Sequence, residues 1–230
     1  MSAPAEPGGA YDPATLAFYD AEAPEYVASG KDGVSRWLPQ FIDMLPVGAR
    51  VLELGCGGGR DAEAMLLRGL DVEPTDGSAA IAAKAQQRLG RPVRVMRFDE
   101  LSSVEAYDAV WASASLLHVP LGKLPAVLGR VFRSLRPGGL HFASYKAAGT
   151  PGRDHAGRYF NHPDGNALVA AYQRSASWEL LSVVEYVGGG YESGQGPWIA
   201  LTARRPVGPE AAGEGLDRPH LLSLPAHADR

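Results

Sequence analysis

The sequence predicts an α/β protein built around a doubly wound, mainly parallel sheet. A short apolar run, 51–54, ends in a glycine-rich turn and is followed by good helix formers over 61–68. Strand-like and helix-like segments then alternate, which implies parallel strands joined by right-handed crossovers. Near the end of the domain, the β-rich segments 178–187 and 198–203 follow each other without a helix and can pair antiparallel.

Helical segments are expected before the first strand. Residues 1–10 are rich in proline, glycine and alanine, and we expect them to be disordered. Pro13 can occupy the first turn of a helix that covers 14–27, with Asp12 as its N-cap. Apolar residues at helical spacing predict a further packing helix over 34–45.

The remaining elements follow from apolar spacing and turn residues. The five strands before the C-terminal hairpin are predicted near 50–54, 70–76, 93–98, 107–112 and 140–145. Helices are predicted over 61–68, 79–89, 120–135 and 164–175. The glycine-rich stretch 188–197 is predicted to be the loop of the hairpin, and 206–230 to be a flexible tail.

The turn Gly55-Cys-Gly-Gly-Gly59 has the properties of a ligand-binding loop. Glycine tolerates positive φ, and without a Cβ it lets a ligand lie against bare main chain. The helix that follows offers unpaired N–H groups and a positive dipole end, which suit a carboxylate or a phosphate. The dinucleotide fingerprint G-x-G-x-x-G/A fits only in a late register, with Gly57, Gly59 and Ala62.

Acidic residues stand where the second and third predicted strands end. Asp76 closes the second strand, where a carboxylate can accept hydrogen bonds from ribose hydroxyls. Asp99 follows the third strand, where it can accept from an exocyclic adenine amine. His118 comes after the fourth strand, next to the crevice in which an open α/β sheet binds its ligands.

These residues together resemble the class I S-adenosylmethionine-dependent methyltransferases. The matching motifs are E-x-G-x-G-x-G from Glu53, the acid that ends strand two, D-x-L from Asp99, and L-R-P-G-G from Leu135. The resemblance covers about residues 10–205. More narrowly, 59–62, 115–120 and 157–160 resemble a bacterial small-molecule branch that includes tellurite-resistance-type methyltransferases.

The resemblance implies a single Rossmann-like domain over 11–205. Its seven strands would have the order 3-2-1-4-5-7-6, with an antiparallel C-terminal hairpin. Residues 11–45 would form a helical cap, named here the cap, that folds over the cofactor. The cofactor would be S-adenosylmethionine, with S-adenosylhomocysteine as product and a small molecule as methyl acceptor.

The resemblance and the strand ends together give candidate site residues. We expect cofactor contacts from Tyr19, Tyr26, Glu53, Gly55, Cys56, Gly57, Arg60, Asp76, Gly77, Phe98, Asp99, Glu100, Leu101 and Ala114. We expect substrate contacts from His118, Tyr145, Lys146, Arg158 and Tyr159, with His118 as the candidate catalytic residue. An aromatic face of Tyr19 or Tyr26 can attract the sulfonium, or either ring can simply pack on the sheet edge.

Several of these roles have structural alternatives. Glu53 can accept from the cofactor's ammonium group or brace the loop, and Arg60 can bind its carboxylate or lie on the surface. His118 can take a proton from the nucleophile or pack under a loop with a backbone hydrogen bond. The alternative functions are an NAD(P)-dependent oxidoreductase and a non-catalytic S-adenosylmethionine-binding protein.

Composition narrows the possible partners. The net charge of −4, without a basic cluster, gives no support for a nucleic-acid substrate. No apolar run reaches the length of about 18 residues typical of a membrane span, and the start lacks signal-peptide features. One cysteine fits a reducing cytosol, and the six histidines show no metal-ligand spacing. We therefore expect a cytoplasmic monomer or homodimer without a metal.

Overall fold

A computed structural model describes residues 9–29, 33–191 and 193–208 of the chain. Residues 1–8 of the predicted disordered segment 1–10 and residues 209–230 of the predicted tail 206–230 lie outside the described residues. The described part of the chain forms an α/β domain with helices on both faces of one large sheet.

The described residues form nine strands, which are numbered in chain order. They are β1 Arg50–Leu54, β2 Asp71–Asp76, β3 Arg94–Val95, β4 Tyr107–Ala112, β5 Leu135–Lys146, β6 Gly152–Arg153, β7 Tyr159–Phe160, β8 Glu179–Gly190 and β9 Ser193–Arg204. The main sheet has seven strands in the order β3-β2-β1-β4-β5-β9-β8. Strands β1 to β5 are parallel, and β9 runs antiparallel to both β5 and β8. The predicted sheet is confirmed, and only the numbering differs, because the short hairpin of β6 and β7 intervenes.

In the part of the chain that the structure describes, seven α-helices connect and cover these strands. They are α1 Pro13–Ala21, α2 Ala23–Ala28, α3 Leu38–Asp43, α4 Arg60–Leu67, α5 Ala79–Leu89, α6 Leu124–Ser134 and α7 Gly165–Ser175. Short 3₁₀ turns occupy Phe98–Glu100 and Leu116–His118. Asp12 accepts a hydrogen bond from the N–H of Thr15 and so caps α1 as predicted.

Proline positions explain two differences from the predicted helices. The helix expected over 14–27 is divided into α1 and α2, and Pro24 stands in the first turn of α2. The helix expected over 34–45 begins only at Leu38, with Pro39 in its first turn. Proline lacks the N–H that a helix interior needs, so each one marks a helix start.

Within the glycine-rich stretch predicted as a loop, residues 188–190 and 193–197 are strand. Strand β8 continues to Gly190 and β9 begins at Ser193. At Gly188, an added Cβ would lie 2.9 Å from the ring of Tyr186 and 3.0 Å from that of Trp198. Glycine is therefore needed there because two aromatic rings pack against the main chain, not because the chain turns.

Alternation along the strands divides the core between the two faces of the sheet. On one face, Trp111 of β4 stacks on Phe142 of β5, with ring centroids 4.2 Å apart, and α3 and α4 cover them. On the other face, side chains such as Val110 and Tyr145 pack against α6 and α7. Within the described ranges, no helix is long and apolar enough to cross a membrane.

Candidate active site

The glycine turn after β1 presents bare main chain at the carboxyl edge of the sheet. Gly55, Gly57 and Gly59 have φ values of +75°, +52° and +79°. A Cβ on Gly55 would lie 2.5 Å from the Cβ of Ser115, closer than side-chain contacts allow. The N–H groups of Gly55 and Cys56 both donate to the carbonyl of Thr75, at 2.9 and 2.8 Å. The turn is therefore tied to β2 and closely packed against the segment after β4.

Asp76, at the end of β2, joins the glycine turn to the start of α5. Its Oδ2 accepts from the N–H of Gly57 at 3.1 Å, and its Oδ1 accepts from that of Ser78 at 2.9 Å. Burial raises the pKa of Asp76 to about 6, although these main-chain hydrogen bonds act to lower it. The carboxylate can still accept hydrogen bonds from a ligand, because a carboxylate has about four acceptor positions.

Two cavities meet at the glycine turn. The cap cavity, of about 90 Å³, lies between α1 and the end of β2, and its walls include Leu16, Tyr19, Asp76, Gly77, Phe98 and His118. The hairpin cavity, of about 470 Å³, extends to the β8–β9 hairpin, and its walls include Glu53, Arg60, Asp61, Ser144, Tyr186 and Trp198. Tyr26, Gly55, Gly57 and Ala114 belong to both walls. A ligand that lies across the glycine turn would therefore enter both cavities.

Glu53 supplies a buried carboxyl group to the hairpin cavity. Its residue is 3% exposed, and its Oε2 has no hydrogen-bond partner among the residues that the structure describes. Burial, and then the nearby charges of Asp61 and Asp76, raise the pKa of Glu53 well above its usual value. A buried acceptor without a partner is costly, so a cationic donor from a ligand would stabilise this side chain.

Arg60 and Asp61 begin α4 beside Glu53. The guanidinium of Arg60 donates to the carbonyl of Val27 at 3.5 Å, which links the end of α2 to the cavity wall. Asp61 accepts from the N–H of Ser35 and from the indole N–H of Trp111, each at 2.8 Å. Asp61 therefore anchors the cap to the sheet.

His118 lies under the cap with both ring nitrogens engaged. Nδ1 is 2.7 Å from the carbonyl oxygen of Tyr159, and Nε2 is 3.1 Å from the hydroxyl of Tyr19. Because a carbonyl only accepts, Nδ1 carries the hydrogen, and Nε2 accepts from Tyr19. Burial, with smaller contributions from the charges of Arg158 and Lys146, lowers the pKa of His118 to about 4. The imidazole is therefore neutral near pH 7.

Arg158 connects three elements that surround His118. It is 1% exposed, forms an ion pair with Asp154 at 2.7 Å, and donates to the carbonyl of Tyr191 at 3.2 Å. Its guanidinium carbon lies 4.7 Å from the ring centroid of Phe18 and 5.5 Å from that of Phe160. The arginine thus packs α1, the β6–β7 hairpin and the tip of the β8–β9 hairpin together.

A second set of contacts fixes the start of the cap. Arg153 donates to both carboxylate oxygens of Asp12, each at 2.7 Å, and Asp12 is buried. The N–H of Tyr159 donates to the hydroxyl of Thr15 at 2.8 Å. The β6–β7 hairpin, which the sequence did not predict, therefore holds α1 over the cap cavity.

Most of the predicted site residues lie in the walls of these cavities. The structure brings together Tyr19, Tyr26, Glu53, Gly55, Cys56, Gly57, Arg60, Asp76, Gly77, Phe98, Ala114 and His118. They come from the cap, the glycine turn and the ends of the strands. The lining identifies where they lie, and their roles stay predictions.

Four predicted residues belong to other environments. Tyr145 points to the opposite face of β5 from Ser144, is fully buried in the core with Tyr172, and lies outside both cavity walls. Leu101 is also a core residue. The side chains of Asp99 and Glu100 pair with Arg97, at 3.2 and 3.0 Å, and lie outside both cavity walls.

The other predicted substrate residues form a layer behind His118. Tyr159 is buried and meets the histidine through its main-chain carbonyl. Arg158 is enclosed as described above. The ammonium of Lys146 lies 4.0 Å from the ring centroid of Phe160, and burial lowers its pKa. These three residues can influence His118 without lining either cavity.

The sequence prediction missed several wall residues. Tyr11, Leu16 and Arg97 line the cap cavity, and Trp37, Tyr186 and Tyr191 line the hairpin cavity. Asp12, Thr15, Leu16 and Tyr19 follow the i, i+3, i+4, i+7 spacing of one helix face. That spacing could have identified Leu16. No comparable local signal marks Tyr186 or Tyr191.

Comparison with known proteins gives a consistent family description. Residues 51–139 match a family model described as "Methyltransferase domain". The chain is 29% identical over 146 residues to "Hemagglutinin 1" of Eikenella corrodens, covering 60% of this chain and 47% of that one. It is 33% identical over 115 residues to "Ubiquinone biosynthesis O-methyltransferase" of Pseudomonas savastanoi pv. phaseolicola, covering 47% and 48%. The chain therefore spans about half the length of the curated relatives it matches.

The fold has a close counterpart among solved structures. The crystal structure of Burkholderia thailandensis 1,6-didemethyltoxoflavin-N1-methyltransferase, with 1,6-didemethyltoxoflavin and S-adenosylhomocysteine bound, superposes with a TM-score of 0.72. The superposition covers 90% of this chain and 93% of that chain at 21% identity. A likeness at this identity establishes the shared fold.

Proposed function

Since the chain belongs to the class I S-adenosylmethionine-dependent methyltransferases, we propose that it transfers a methyl group from S-adenosylmethionine to a small-molecule acceptor. The observation that carries this proposal is the pair of carboxyl groups at the glycine turn, of which Glu53 is buried and Asp76 is half-buried. Asp76 lines the cap cavity and Glu53 lines the hairpin cavity, with bare main chain at Gly55 and Gly57 in both walls. S-adenosylmethionine joins a nucleoside to an amino-acid group, so it needs an acceptor for each end.

The residues present fit this cofactor. The oxygen of Glu53 that lacks a partner among the described residues would accept from an ammonium group. Asp76 would accept from ribose hydroxyls, and the start of α4 with Arg60 would receive a carboxylate. Gly77, Phe98 and Ala114 would complete the walls, with Cys56 beside Glu53. Arg97 lines the cap cavity, and Asp99, predicted as the adenine acceptor, pairs with Arg97 outside the wall.

The cofactor supplies a methyl group that its positive sulfur already activates, so no metal or protein nucleophile is required. The chain's own residues then have to orient the acceptor and exclude water. The cap closes one side of the cap cavity with Leu16, Tyr19 and Tyr26. His118 lines the same space, and its Nε2, which here accepts from the hydroxyl of Tyr19, would accept the acceptor's proton when that hydroxyl is displaced. The charges of Arg158 and Lys146 would favour an oxygen nucleophile that gains negative charge.

A small acceptor is supported by the relatives. The matched relatives include an O-methyltransferase of ubiquinone biosynthesis and an N1-methyltransferase of 1,6-didemethyltoxoflavin. Both names describe small acceptors, and the net charge of −4 gives no attraction for nucleic acid.

Calorimetric titration with S-adenosylhomocysteine tests the cofactor assignment. We expect binding to the unchanged chain and roughly tenfold or greater weakening in Asp76→Asn, because a charged acceptor is lost. The control is Asp71→Asn, an exposed acid at the start of the same strand, which should bind like the unchanged chain. Equal affinity in Asp76→Asn and Asp71→Asn would remove the assignment, as would absence of binding to all three proteins.

Activity and the rival function need separate measurements. Transfer of labelled methyl from S-adenosylmethionine should be followed across a panel of small hydroxylated and nitrogenous acceptors. Product with any member separates an enzyme from a non-catalytic binding protein. A fluorescence change on addition of NADH, without S-adenosylhomocysteine binding, would favour the oxidoreductase instead.

A further inference from the structure

The hydrogen bond between Tyr19 and His118 joins a phenol to a ring nitrogen that can only accept. Nδ1 of His118 is held by the Tyr159 carbonyl at 2.7 Å, so the tautomer leaves a lone pair on Nε2. The phenol of Tyr19 meets that lone pair at 3.1 Å. Without Tyr19, Nε2 would lack this hydrogen bond at the wall of the cap cavity.

The surroundings of the Tyr19 hydroxyl suit an aromatic ring that carries an O–H group. The ring of Tyr19 meets Phe18, Tyr26 and His118 edge to face, with centroids 5.4, 5.3 and 5.5 Å apart. The charge of Arg158 acts on the same hydroxyl and opposes the effect of burial on its pKa. A phenol at this place therefore has an acceptor for its hydrogen and a cation near its oxygen.

A ligand that donates to Nε2 of His118 competes with the hydroxyl of Tyr19 for a single lone pair. That hydroxyl lies 3.1 Å from Nε2. Leu16 already closes on Gly77, where an added Cβ would lie 2.9 Å from its Cδ2. An aromatic ligand that reaches His118 must therefore displace the side chain of Tyr19.

We infer that the phenol of Tyr19 holds the place of the methyl acceptor, and that the acceptor is a neutral phenol whose hydroxyl donates to Nε2 of His118. The acceptor displaces Tyr19 and exchanges one hydrogen bond for an equivalent one. Tyr19 is then a gate on the acceptor side rather than a cofactor contact. This inference rests on the proposed function, because only a methyltransferase has a methyl acceptor. The binding of a phenol at His118 can be tested without measuring methyl transfer.

The hydrogen-bond arrangement selects among acceptor classes. A carboxylate has no hydrogen to donate, so it would place a lone pair against the lone pair of Nε2. An ammonium group can donate but would lie close to the charges of Arg158 and Lys146, which act on His118. A neutral hydroxyl on an aromatic ring satisfies Nε2 and is attracted by those charges.

Binding of phenol, toluene and benzoate to the full chain tests the inference, with and without S-adenosylhomocysteine. We expect phenol to bind roughly three- to tenfold more tightly than toluene, the range for one neutral hydrogen bond. Benzoate should bind most weakly. Tyr19→Phe should bind phenol about three- to tenfold more tightly than the unchanged chain does, since no bond to His118 must break. Tyr107→Phe, which removes a remote phenol hydroxyl that donates to Glu73, should match the unchanged chain.

Two further measurements identify His118 as the partner. His118→Phe should bind phenol and toluene equally. Because that change also leaves the Tyr159 carbonyl without its donor and can weaken folding, ¹⁵N spectra of the unchanged chain give a second readout. They should show the Nδ1–H tautomer of His118 and a shift of Nε2 with phenol but not with toluene. The His118 signals are assigned by their absence from the variant.

The outcomes separate this inference from the proposed function. Tighter binding of benzoate than phenol, no preference for phenol over toluene, or unchanged phenol affinity in Tyr19→Phe would each overturn the phenol site. If S-adenosylhomocysteine binds nowhere while the phenol pattern holds, the site stands and the methyltransferase proposal fails. If S-adenosylhomocysteine binds and the phenol pattern is absent, the opposite conclusion follows.

Discussion

Main chain forms much of the wall at the glycine turn, whereas side chains form most of the wall under the cap. At the turn, Gly55, Gly57 and Asp76 come from the ends of neighbouring parallel strands, and short hydrogen bonds join them. Under the cap, Tyr19 meets His118 across 99 positions of sequence, and Asp12 meets Arg153 across 141. The first region depends on strand order, and the second depends on a few long-range side-chain contacts.

This difference predicts different responses to substitution. A change at the turn should disturb the sheet itself, because the turn is packed between β2 and the segment after β4. A change in the cap contacts should open the cap locally and leave the sheet intact, because local opening costs less than global unfolding.

The largest effect is expected for Gly55→Ala. The φ of +75° disfavours a Cβ, and that Cβ would lie 2.5 Å from the Cβ of Ser115. We expect a loss of about 2–4 kcal/mol of unfolding free energy in urea, from left-handed strain plus overpacking. S-adenosylhomocysteine binding should fall in the same variant.

Gly69→Ala is the matched control for the glycine turn. Its φ is +80°, and nothing lies within 4 Å of an added Cβ. Gly69→Ala should lose about 1–2 kcal/mol of unfolding free energy, which is the cost of placing a Cβ in the left-handed region. If Gly55→Ala and Gly69→Ala lost the same unfolding free energy, the contact with Ser115 would add nothing to the cost of a Cβ at positive φ.

An intermediate effect is expected for Arg153→Met. The change leaves the buried carboxylate of Asp12 without the two hydrogen bonds that Arg153 donates at 2.7 Å. Removing the donor to a buried charged group should lower the free energy of cap opening by about 2 kcal/mol. Amide exchange should accelerate over Pro13–Ala21 and stay unchanged in β1 and β4.

Arg68→Met provides the comparison for the cap contact. Its ion pair with Asp43, at 2.8 Å, joins two largely exposed side chains. Such a pair contributes about 0–1 kcal/mol, so exchange in the cap should not change. Uniform acceleration over the whole sheet in Arg153→Met would show that the cap and the sheet unfold together.

The same difference explains how far sequence reasoning could go. Gly55, Gly57 and Asp76 were predictable because strand, turn and helix follow one another locally, and the parallel order then places the strand ends together. The strand status of Gly188 was not predictable, because its reason is the packing of Tyr186 and Trp198. Side chains alternate between the two faces of the sheet along β5. The face on which Tyr145 lies could be derived only once Ser144 was known to line the hairpin cavity.

The cap contacts were beyond a single sequence for another reason. Asp12 was recognisable as an N-cap, but nothing local indicates that Arg153 donates to it. Tyr19 and His118 were each candidates, yet their hydrogen bond depends on how the β6–β7 hairpin places the Tyr159 carbonyl. Local patterns therefore predicted which residues lie at the turn, and long-range packing decides which contacts the residues under the cap make.

The smallest effect predicted is a pH dependence that separates the two regions. Burial raises the pKa of Asp76 to about 6. Ribose hydroxyls favour the ionised carboxylate, so S-adenosylhomocysteine should bind roughly tenfold more weakly at pH 5 than at pH 7. For Asp12, burial raises the pKa, but hydrogen bonds from Arg153 and Thr15 outweigh it and lower the pKa overall. The stability that ionised Asp12 contributes is lost only as the pH falls below the usual pKa of a carboxyl group. The hydrogen bonds between Arg153 and Asp12 should therefore persist from pH 7 to pH 5.

Binding is a better readout than unfolding for this dependence. In the free protein, the raised pKa of Asp76 contributes stability that is present below about pH 4 and lost as pH rises through about 6. His118 and His141, with pKa values lowered to about 4 by burial, act in the opposite direction in the same pH range.

Calorimetry at pH 5, 6 and 7 should show that S-adenosylhomocysteine binding depends less on pH in Asp76→Asn. Glu53→Gln is the control, since burial also raises the pKa of Glu53. If Asp76→Asn kept the full dependence and Glu53→Gln lost it, the titrating carboxyl would belong to the hairpin cavity.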